Sequence, residues 1–495
     1  MNPSITNQTL DALKAAQSAP NDALAKASTF AQSGSATSGI TFYDLEAGAK
    51  LLFPVLTPLR NEIPRVSGKG GTQANWRAIT AINANQVSAG VSGGNRGGMM
   101  NITTADYVAA YRGIGLEAAV DFEADYAAEG FDDAKALAAQ TLLESLMIQE
   151  EQIILGGNNS VALGTTGTPT LTAAGTTSTL TASLYSVICV GLTMDGYLRA
   201  SLVTGVLGQV TRANTDGSSD VFGGGSANKS VAATITPAAT NNISASVTAL
   251  PGAVAYAWYW GATGAELLGA ITTINSVVIS AAATGTQNAS ALTQDSSQNS
   301  LLFDGLLYQA FKPGSNSYIK RQATGTAGTG TPLTADGAGG IVEIDALLKS
   351  LWDNYRLSPT KILVNSQEQQ NISTKILAGN ANAAQRFVFT VEQGKIGGGV
   401  MVTSYRNKFS MNGAQEIPIQ LHPNLPAGTV LVYTNKLPYP MSNVSNVIQV
   451  RTRKEYYQIE WPLRSRRYEY GVYADEVLQN YFPPSMGVIT NIANG

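Results

Sequence analysis

The sequence predicts an α+β protein whose mixed body is interrupted by an all-β region. Apolar residues recur at helical spacing over 132–155, which predicts a long amphipathic helix. Residues 161–300 carry very little charge and consist of short alternating runs between turn residues, a pattern typical of a β-sandwich. Helix and strand patterns return after residue 300, and a chain of 495 residues is long enough for several structural units.

The long helix has signals at both ends. Asp132 or Asp133 can cap its N-terminus, and Gly156 and Gly157 can end it. Its broad apolar stripe consists of Leu137, Ala138, Leu142, Leu143, Leu146, Met147, Ile153 and Ile154. Its acidic residues, which we expect to be exposed on or beside the polar face, are Glu144, Glu150 and Glu151.

The N-terminal part predicts an arm rather than a folded unit. Residues 1–40 are rich in small and polar residues, whereas 41–61 is dense in apolar residues. Pro54 and Pro58 cut any helix short in the second stretch. We expect 1–61 to be an extended arm that becomes ordered against a partner and whose later part docks on the folded body.

The region 62–104 predicts a long two-stranded loop. Arg77, Ile79 and Ala81 alternate with smaller residues in a strand pattern, and the segment 90–100, GVSGGNRGGMM, reads as its glycine-rich tip. An isolated hairpin is marginally stable at best in water. We therefore expect something outside the loop to cover it.

A cluster of aromatic residues gives the all-β region its predicted core. The segment PGAVAYAWYWGATG places Tyr256, Trp258 and Trp260 on one face of a strand. A tryptophan buried on a central strand is common in immunoglobulin-like sandwiches, so we expect 161–300 to be such a sandwich. Cys189 is the chain's one cysteine, so the two-cysteine bridge of antibody domains cannot form.

Helix and strand signals alternate in the last part of the chain. A helix is predicted over 341–357, a strand over 361–366, and a further helix over the segment EQQNISTKIL. Residues 447–478 begin with a long run of strand character. We divide this part into units at 301–440 and 441–495.

The composition excludes several classes of function. The net charge is −3, which argues against broad nucleic-acid binding through a basic surface. One cysteine and one histidine cannot form a Cys/His metal site, and we expect His422, in LHPNLP, to be a turn residue. We predict no catalytic, cofactor-binding or metal-binding residues. The N-terminus lacks signal-peptide features, and no apolar run is long enough to span a membrane.

Several segments, taken in order, resemble the HK97-like major capsid proteins of tailed bacteriophages. They are EEQIILGGNN after the long helix, IDALLKSLWDNYRLSPTKILVNSQEQQNI, QEIPIQLHPNLPAGTVLVYT, and the C-terminal run from RKEYYQIEW to GVITNI. The resemblance implies the family's architecture, with the all-β region as an insertion. Its parts are an N-arm (1–61), an E-loop (62–104), a peripheral domain with a spine helix at 132–155 (105–160), the inserted immunoglobulin-like sandwich (161–300), a mainly axial domain (301–440), and the peripheral return strands with a final axial strand (441–495).

The resemblance also implies a function. It implies a structural protein, not an enzyme, that forms hexamers and pentamers of an icosahedral or prolate head shell around double-stranded DNA. The implied partners are the portal protein, scaffolding or decoration proteins, and the packaged DNA through non-specific contacts. The implied locations are the virion and, during assembly, the cytoplasm of the host bacterium.

Charged residues suggest one contact between subunits. We expect cations of the loop region to meet the acids of the spine helix on a neighbouring subunit. The cations are Lys69, Arg77 and Arg96, and the acids are Glu144, Glu150 and Glu151. The alternative, ordinary solvated charges, is equally compatible with the sequence, because surface ion pairs contribute only about 0–1 kcal/mol.

Two other functions remain open from the sequence. An encapsulin-type nanocompartment shell protein shares the implied fold, but the insertion and the long arm favour the phage protein. A secreted β-sandwich adhesin suits the all-β region, but the missing signal peptide and the helical body argue against it.

Overall fold

The computed structural model describes residues 53–128, 133–378 and 401–494, except 412 and 414. Most of the predicted arm, residues 1–52, lies outside this part of the chain. The described residues form a mixed α+β fold, as the sequence predicts. None of the helices in the described ranges is long and apolar enough to cross a membrane.

The long helix and a mixed sheet, in which only β1 runs parallel to its neighbour β19, form the first layer pair. The helix α3 covers Ala134–Gly156, and Asp133 caps it by accepting hydrogen bonds from the backbone amides of Lys135 and Ala136. A four-stranded sheet in the order β1-β19-β20-β4 packs on it. The elements are α1 (Pro58–Glu62), β1 (Arg65–Ser67), β4 (Arg112–Asp121), α2 (Phe122–Ala128), β19 (Ile448–Glu460) and β20 (Arg467–Asn480).

The predicted two-stranded loop is an antiparallel hairpin. Its strands are β2 (Gln73–Ile82) and β3 (Ile102–Ala110), and they pair only with each other within the described residues. Residues 83–101 form the tip. Such a two-stranded ribbon leaves both faces available to other elements.

The all-β region consists of two packed sheets and a small hairpin. One sheet has the order β13-β10-β5, the other β12-β11-β6-β9, and β7 pairs with β8. Both sheets are antiparallel. The strands are β5 (Thr170–Ala174), β6 (Tyr185–Leu192), β7 (Gln209–Ala213), β8 (Ser219–Gly223), β9 (Ala233–Ile235), β10 (Asn242–Ser246), β11 (Ala255–Gly261), β12 (Leu267–Thr272) and β13 (Ser276–Ile279).

A six-stranded mixed sheet forms the second half of the body. Its order is β14-β21-β18-β15-β17-β16, and the helix α6 packs on it through Ile344, Leu347, Leu348 and Leu351. The elements not yet named are α4 (Met194–Arg199), α5 (Leu306–Phe311), β14 (Tyr318–Arg321), α6 (Val342–Tyr355), β15 (Lys361–Val364), α7 (Ser366–Ala378), β16 (Ser404–Asn407), β17 (Gln415–Leu421), β18 (Val430–Tyr433) and β21 (Gly487–Thr490).

The all-β region shares a core with the body. On β11, Tyr256, Trp258 and Trp260 point between the two sheets, and all three are buried. The alternate residues Ala257 and Tyr259 face the other way and belong to a cluster that includes body residues such as Leu155, Leu306 and Leu431. The four-stranded sheet is therefore buried on both faces. This explains why β6, although it contains Ser186, is buried almost throughout and largely apolar instead of alternating.

Candidate subunit-contact surface

The hairpin β2–β3 carries an exposed apolar face. Opposite residues in its ladder include Asn75 with Val108 and Arg77 with Asp106. A β-bulge between Ile79 and Ala81 shifts the register, so Ile82 pairs with Ile102. Because a bulge adds one residue to one strand, the alternation resumes with Ile82 on the same side as Ile79. The sequence alternation alone would have placed these two isoleucines on opposite faces.

The side chains on this face are unusually exposed for their type. The exposed fractions are 62% for Ile79, 68% for Ile82, 54% for Ile102 and 59% for Val108. We call these four residues the hairpin face. The three isoleucines are neighbours in the ladder, and a group of large exposed apolar side chains is typical of a surface that contacts another molecule. Within the described part of the chain, nothing covers this face.

A surface ion pair lies in the middle of the hairpin face. The Nε and Nη2 atoms of Arg77 donate to the carboxylate of Asp106 at 2.6 and 2.9 Å. The pair raises the pKa of Arg77 and lowers that of Asp106, mainly through the side-chain hydrogen bond. Both side chains are well exposed, so water screens the interaction. The predicted contact cation Arg77 therefore has a partner on its own hairpin.

The base of the hairpin is anchored to the body by aromatic side chains. Trp76 stacks on Tyr107 with 5.9 Å between ring centroids and meets the edge of Tyr481 at 5.6 Å. Ala74 and Tyr111 are buried nearby. The base is thus fixed while the hairpin face and the tip extend away from the core. The remaining predicted contact cations, Lys69 and Arg96, are exposed.

Two of the three predicted contact acids lie in the interior. Glu150 and Glu151 are fully buried, so the prediction that they are exposed acids is wrong. The last turns of α3 pass beneath α1 and beside the six-stranded sheet, and these elements cover the face expected to be polar. Glu144 is half-buried and accepts a hydrogen bond from Gln140.

Glu150 belongs to a buried charge cluster. It contacts the guanidinium groups of Arg60 and Arg65 and accepts a hydrogen bond from the hydroxyl of Tyr456. Arg65 also donates a hydrogen bond of 3.0 Å to Glu476, a second buried carboxylate. Burial raises the pKa of Glu476, and the nearby Arg65 offsets part of that rise. Two arginines therefore compensate two buried carboxylates, as burial of charge requires.

Glu151 joins three separate parts of the chain. It accepts hydrogen bonds from the backbone amides of Leu59 and Arg60 and so caps α1, which has no side-chain cap of its own. Its Oε1 atom also lies 2.6 Å from Nε2 of His422. The other ring nitrogen of His422 accepts from the amide of Asn424 at 3.2 Å, so the proton resides on Nε2 and is donated to Glu151.

The sequence signals for this cluster were weak. His422 does lie in a turn, as expected, but it is buried there as a partner of the spine helix. Arg60 and Arg65 follow an apolar segment, and a cation in such a place is a clue to a buried acid. Glu150 is 90 residues from Arg60 and Glu476 is 411 residues from Arg65, so no local pattern connects them.

Among the described residues, no group of three or more His, Cys, Asp or Glu side chains is arranged to hold a metal ion.

No family model and no curated protein matches the chain. Solved structures similar to it include the capsid of cyanophage A-1(L) (12% identity, 92% of this chain and 97% of that chain, TM-score 0.41). Another is the capsid of Myoviridae phage XM1 (11%, 92% and 96%, TM-score 0.37). A third is the holo-SrpI encapsulin complex of Synechococcus elongatus PCC 7942 (8%, 90% and 93%, TM-score 0.39).

Proposed function

We propose that the chain is a major capsid protein, a subunit that assembles with its own copies into the head shell of a tailed phage. The observation that carries the proposal is the anchored hairpin with its uncovered apolar face. Burying apolar surface releases about 25 cal/mol per Å², and a neighbouring subunit is the partner always present at matching concentration. Hexamers and pentamers of an icosahedral or prolate shell are the assemblies proposed.

The hairpin presents apolar and charged groups to a neighbour. We propose that the face residues pack on the next subunit and that Lys69, Arg77 and Arg96 lie near acidic groups there. Glu144 remains a candidate partner, because it is partly accessible on the spine helix. Glu150 and Glu151 are not candidates, because both already have partners inside the fold.

The resemblance supports the architecture and the partners proposed here. The hairpin corresponds to the E-loop, the sheet with the long helix to the peripheral domain, and the six-stranded sheet to the axial domain. The two-sheet region would be an immunoglobulin-like insertion, which the buried tryptophan on β11 supports. A portal, scaffolding or decoration proteins and the enclosed double-stranded DNA would be partners, with assembly in the bacterial cytoplasm.

An encapsulin-type shell is the alternative that uses the same surfaces. Both shells form from one chain through a projecting hairpin, so the hairpin does not distinguish them. Neighbouring genes do: portal, terminase and protease genes indicate a phage head, and a cargo-enzyme gene indicates a nanocompartment.

Electron microscopy of the expressed, purified protein tests the proposal. Closed particles of uniform diameter, or sheets of hexamers, are the expected result. A monomer that stays monodisperse at every protein concentration and ionic strength tested would contradict it.

A further inference from the structure

A groove of about 1090 Å³ runs along the spine helix. Its floor is the side of α3 from Thr141 to Gly156, which includes Ser145, and the next residue, Gly157. One wall is formed by α4 and the β7–β8 hairpin, and Phe222 of that hairpin lines the groove. The other wall includes Gly113, the first of three consecutive β4 residues that border the groove.

That wall exposes the edge of a sheet rather than its face. β4 is the last strand of its sheet among the described residues, because it pairs with β20 on one side alone. Gly113, Ile114 and Gly115 of this strand border the groove. Alternate residues of such an edge strand direct their N–H and C=O groups away from the sheet, where they can pair with an added strand.

The described chain begins at the same groove. Phe53, its first residue, and Val55 both line it. Val55 remains 39% exposed there, so the described residues do not close the space around it.

The sequence before Phe53 has the pattern of a strand. Apolar residues occupy every second position over 43–55, in phase with the two that line the groove: Tyr43, Leu45, Ala47, Ala49, Leu51, Phe53 and Val55. The positions between them carry charged residues, such as Asp44, Glu46 and Lys50, over much of the stretch. Period-two alternation is the pattern of a strand with one buried face.

We infer that residues 43–51 bind in the groove of their own subunit as an added strand beside β4, with the odd-numbered side chains against α3. The segment is long enough to cover the helical floor. Residues 43–51 span about 30 Å at roughly 3.3 Å each in a strand. The helical floor from Thr141 to Gly156 spans about 24 Å at roughly 1.5 Å per residue. Backbone pairing supplies the contact, and the alternate apolar side chains supply its specificity.

The inference goes beyond shell assembly and concerns the single subunit. It assigns the first apolar stretch of the chain to a site built partly by the β7–β8 hairpin of the all-β region. It holds for the free subunit and the shell alike, so a failure to assemble leaves its test intact.

Disulfide scanning in the full-length chain tests the inference. The one natural cysteine, Cys189, is buried, so engineered pairs are unambiguous. Ser145→Cys on the groove floor is combined with a cysteine placed in turn at each of residues 43–51, and the chains are oxidised mildly. Peptide mass spectrometry measures the yield of each bond, and a non-reducing gel shows whether it joins one chain or two.

The expected result is a bond within one chain whose yield alternates, with odd positions several-fold above their even neighbours. Equal yields at both parities, or no bond at any position, would overturn the inference. A bond between two chains would also overturn it, because the occupant would then be a second copy. Hydrogen exchange of chains without engineered cysteines gives an independent measure. The amides of the β4 edge should exchange faster in the variant Leu45→Asp/Leu51→Asp than in the matched control Asp44→Asn/Lys50→Gln. Equal exchange in the two variants would count against the added strand.

Discussion

The Nε2 atom of His422 lies 2.6 Å from Oε1 of Glu151, and both side chains are fully buried. The contact joins the turn after β17 to α3. Through the amides of Leu59 and Arg60, the same carboxylate fixes the segment that leads to the hairpin. The surface proposed to contact neighbours is therefore held by a polar contact deep in the subunit.

Removing the Glu151 carboxylate should strongly destabilise the subunit. Glu151→Ala leaves two backbone amides and the His422 ring without their acceptor, and breaking a buried pair costs about 3–5 kcal/mol. Urea denaturation followed by circular dichroism measures the free energy of unfolding. Glu144→Ala on the same helix is the matched control and should change it by less than about 0.5 kcal/mol. Equal effects of the two substitutions would refute the role given to Glu151.

Exchanging Arg77 and Asp106 separates two roles of the hairpin ion pair. Arg77→Asp alone places two carboxylates opposite each other and should impair assembly. If the pair acts only within the hairpin, the double exchange Arg77→Asp/Asp106→Arg restores the contact and the particle yield. If Arg77 meets a neighbour's acid, as we propose, the double variant stays impaired. Particle yield by sedimentation measures this, and full recovery in the double variant would exclude the intersubunit role.

Glu368 predicts a pH dependence of stability. Burial raises the pKa of this carboxyl from 4.5 to about 7, against the hydrogen bonds from Asn371 and Gly428. A raised folded-state pKa means that the folded chain holds the proton more tightly than the unfolded chain. Its stabilising effect is therefore complete below pH 4.5 and is lost as pH rises to about 7.

Glu368→Gln should remove that part of the pH dependence. The amide keeps an acceptor oxygen but does not ionise, so the variant should gain stability relative to the native chain between pH 5 and pH 8. The difference should reach about 3 kcal/mol, the equivalent of some two and a half pH units. Chemical denaturation at the two pH values measures it, and a constant difference across the range would contradict the prediction.

The all-β region should not unfold independently. Trp258 is fully buried, and its indole donates to Thr272 at 2.9 Å, so Trp258→Ala should cost about 3–5 kcal/mol. Because the other face of its sheet packs on the body, both parts should lose protection together in hydrogen-exchange mass spectrometry. Val278→Ala, on the partly exposed outer face, is the control. Loss of protection confined to 161–300 would show a separate domain.

The fold was more predictable than the contacts. Helical periodicity and an Asp N-cap located α3 to within two residues, and period-two alternation located the hairpin and the aromatic strand. The burial of Glu150 and Glu151 could not be predicted from local periodicity, because it depends on partners that are distant in sequence. Nor could the bulge between Ile79 and Ala81, which brings two isoleucines to one face. The shared core of the all-β region depends equally on packing between distant segments.

Particle mass by light scattering tests the central claim most directly, with Ile79→Asp/Ile82→Asp as the variant. Two added carboxylates that become buried against a neighbour oppose association by several kcal/mol. They do not disturb the fold of the single subunit, because both positions are exposed there. The control Met441→Asp alters a side chain that is 95% exposed and belongs to the loop between β18 and β19. We predict that the control forms particles like the native chain, while the hairpin variant keeps its native circular dichroism and remains a small species. Particles of native mass from the hairpin variant would contradict the account.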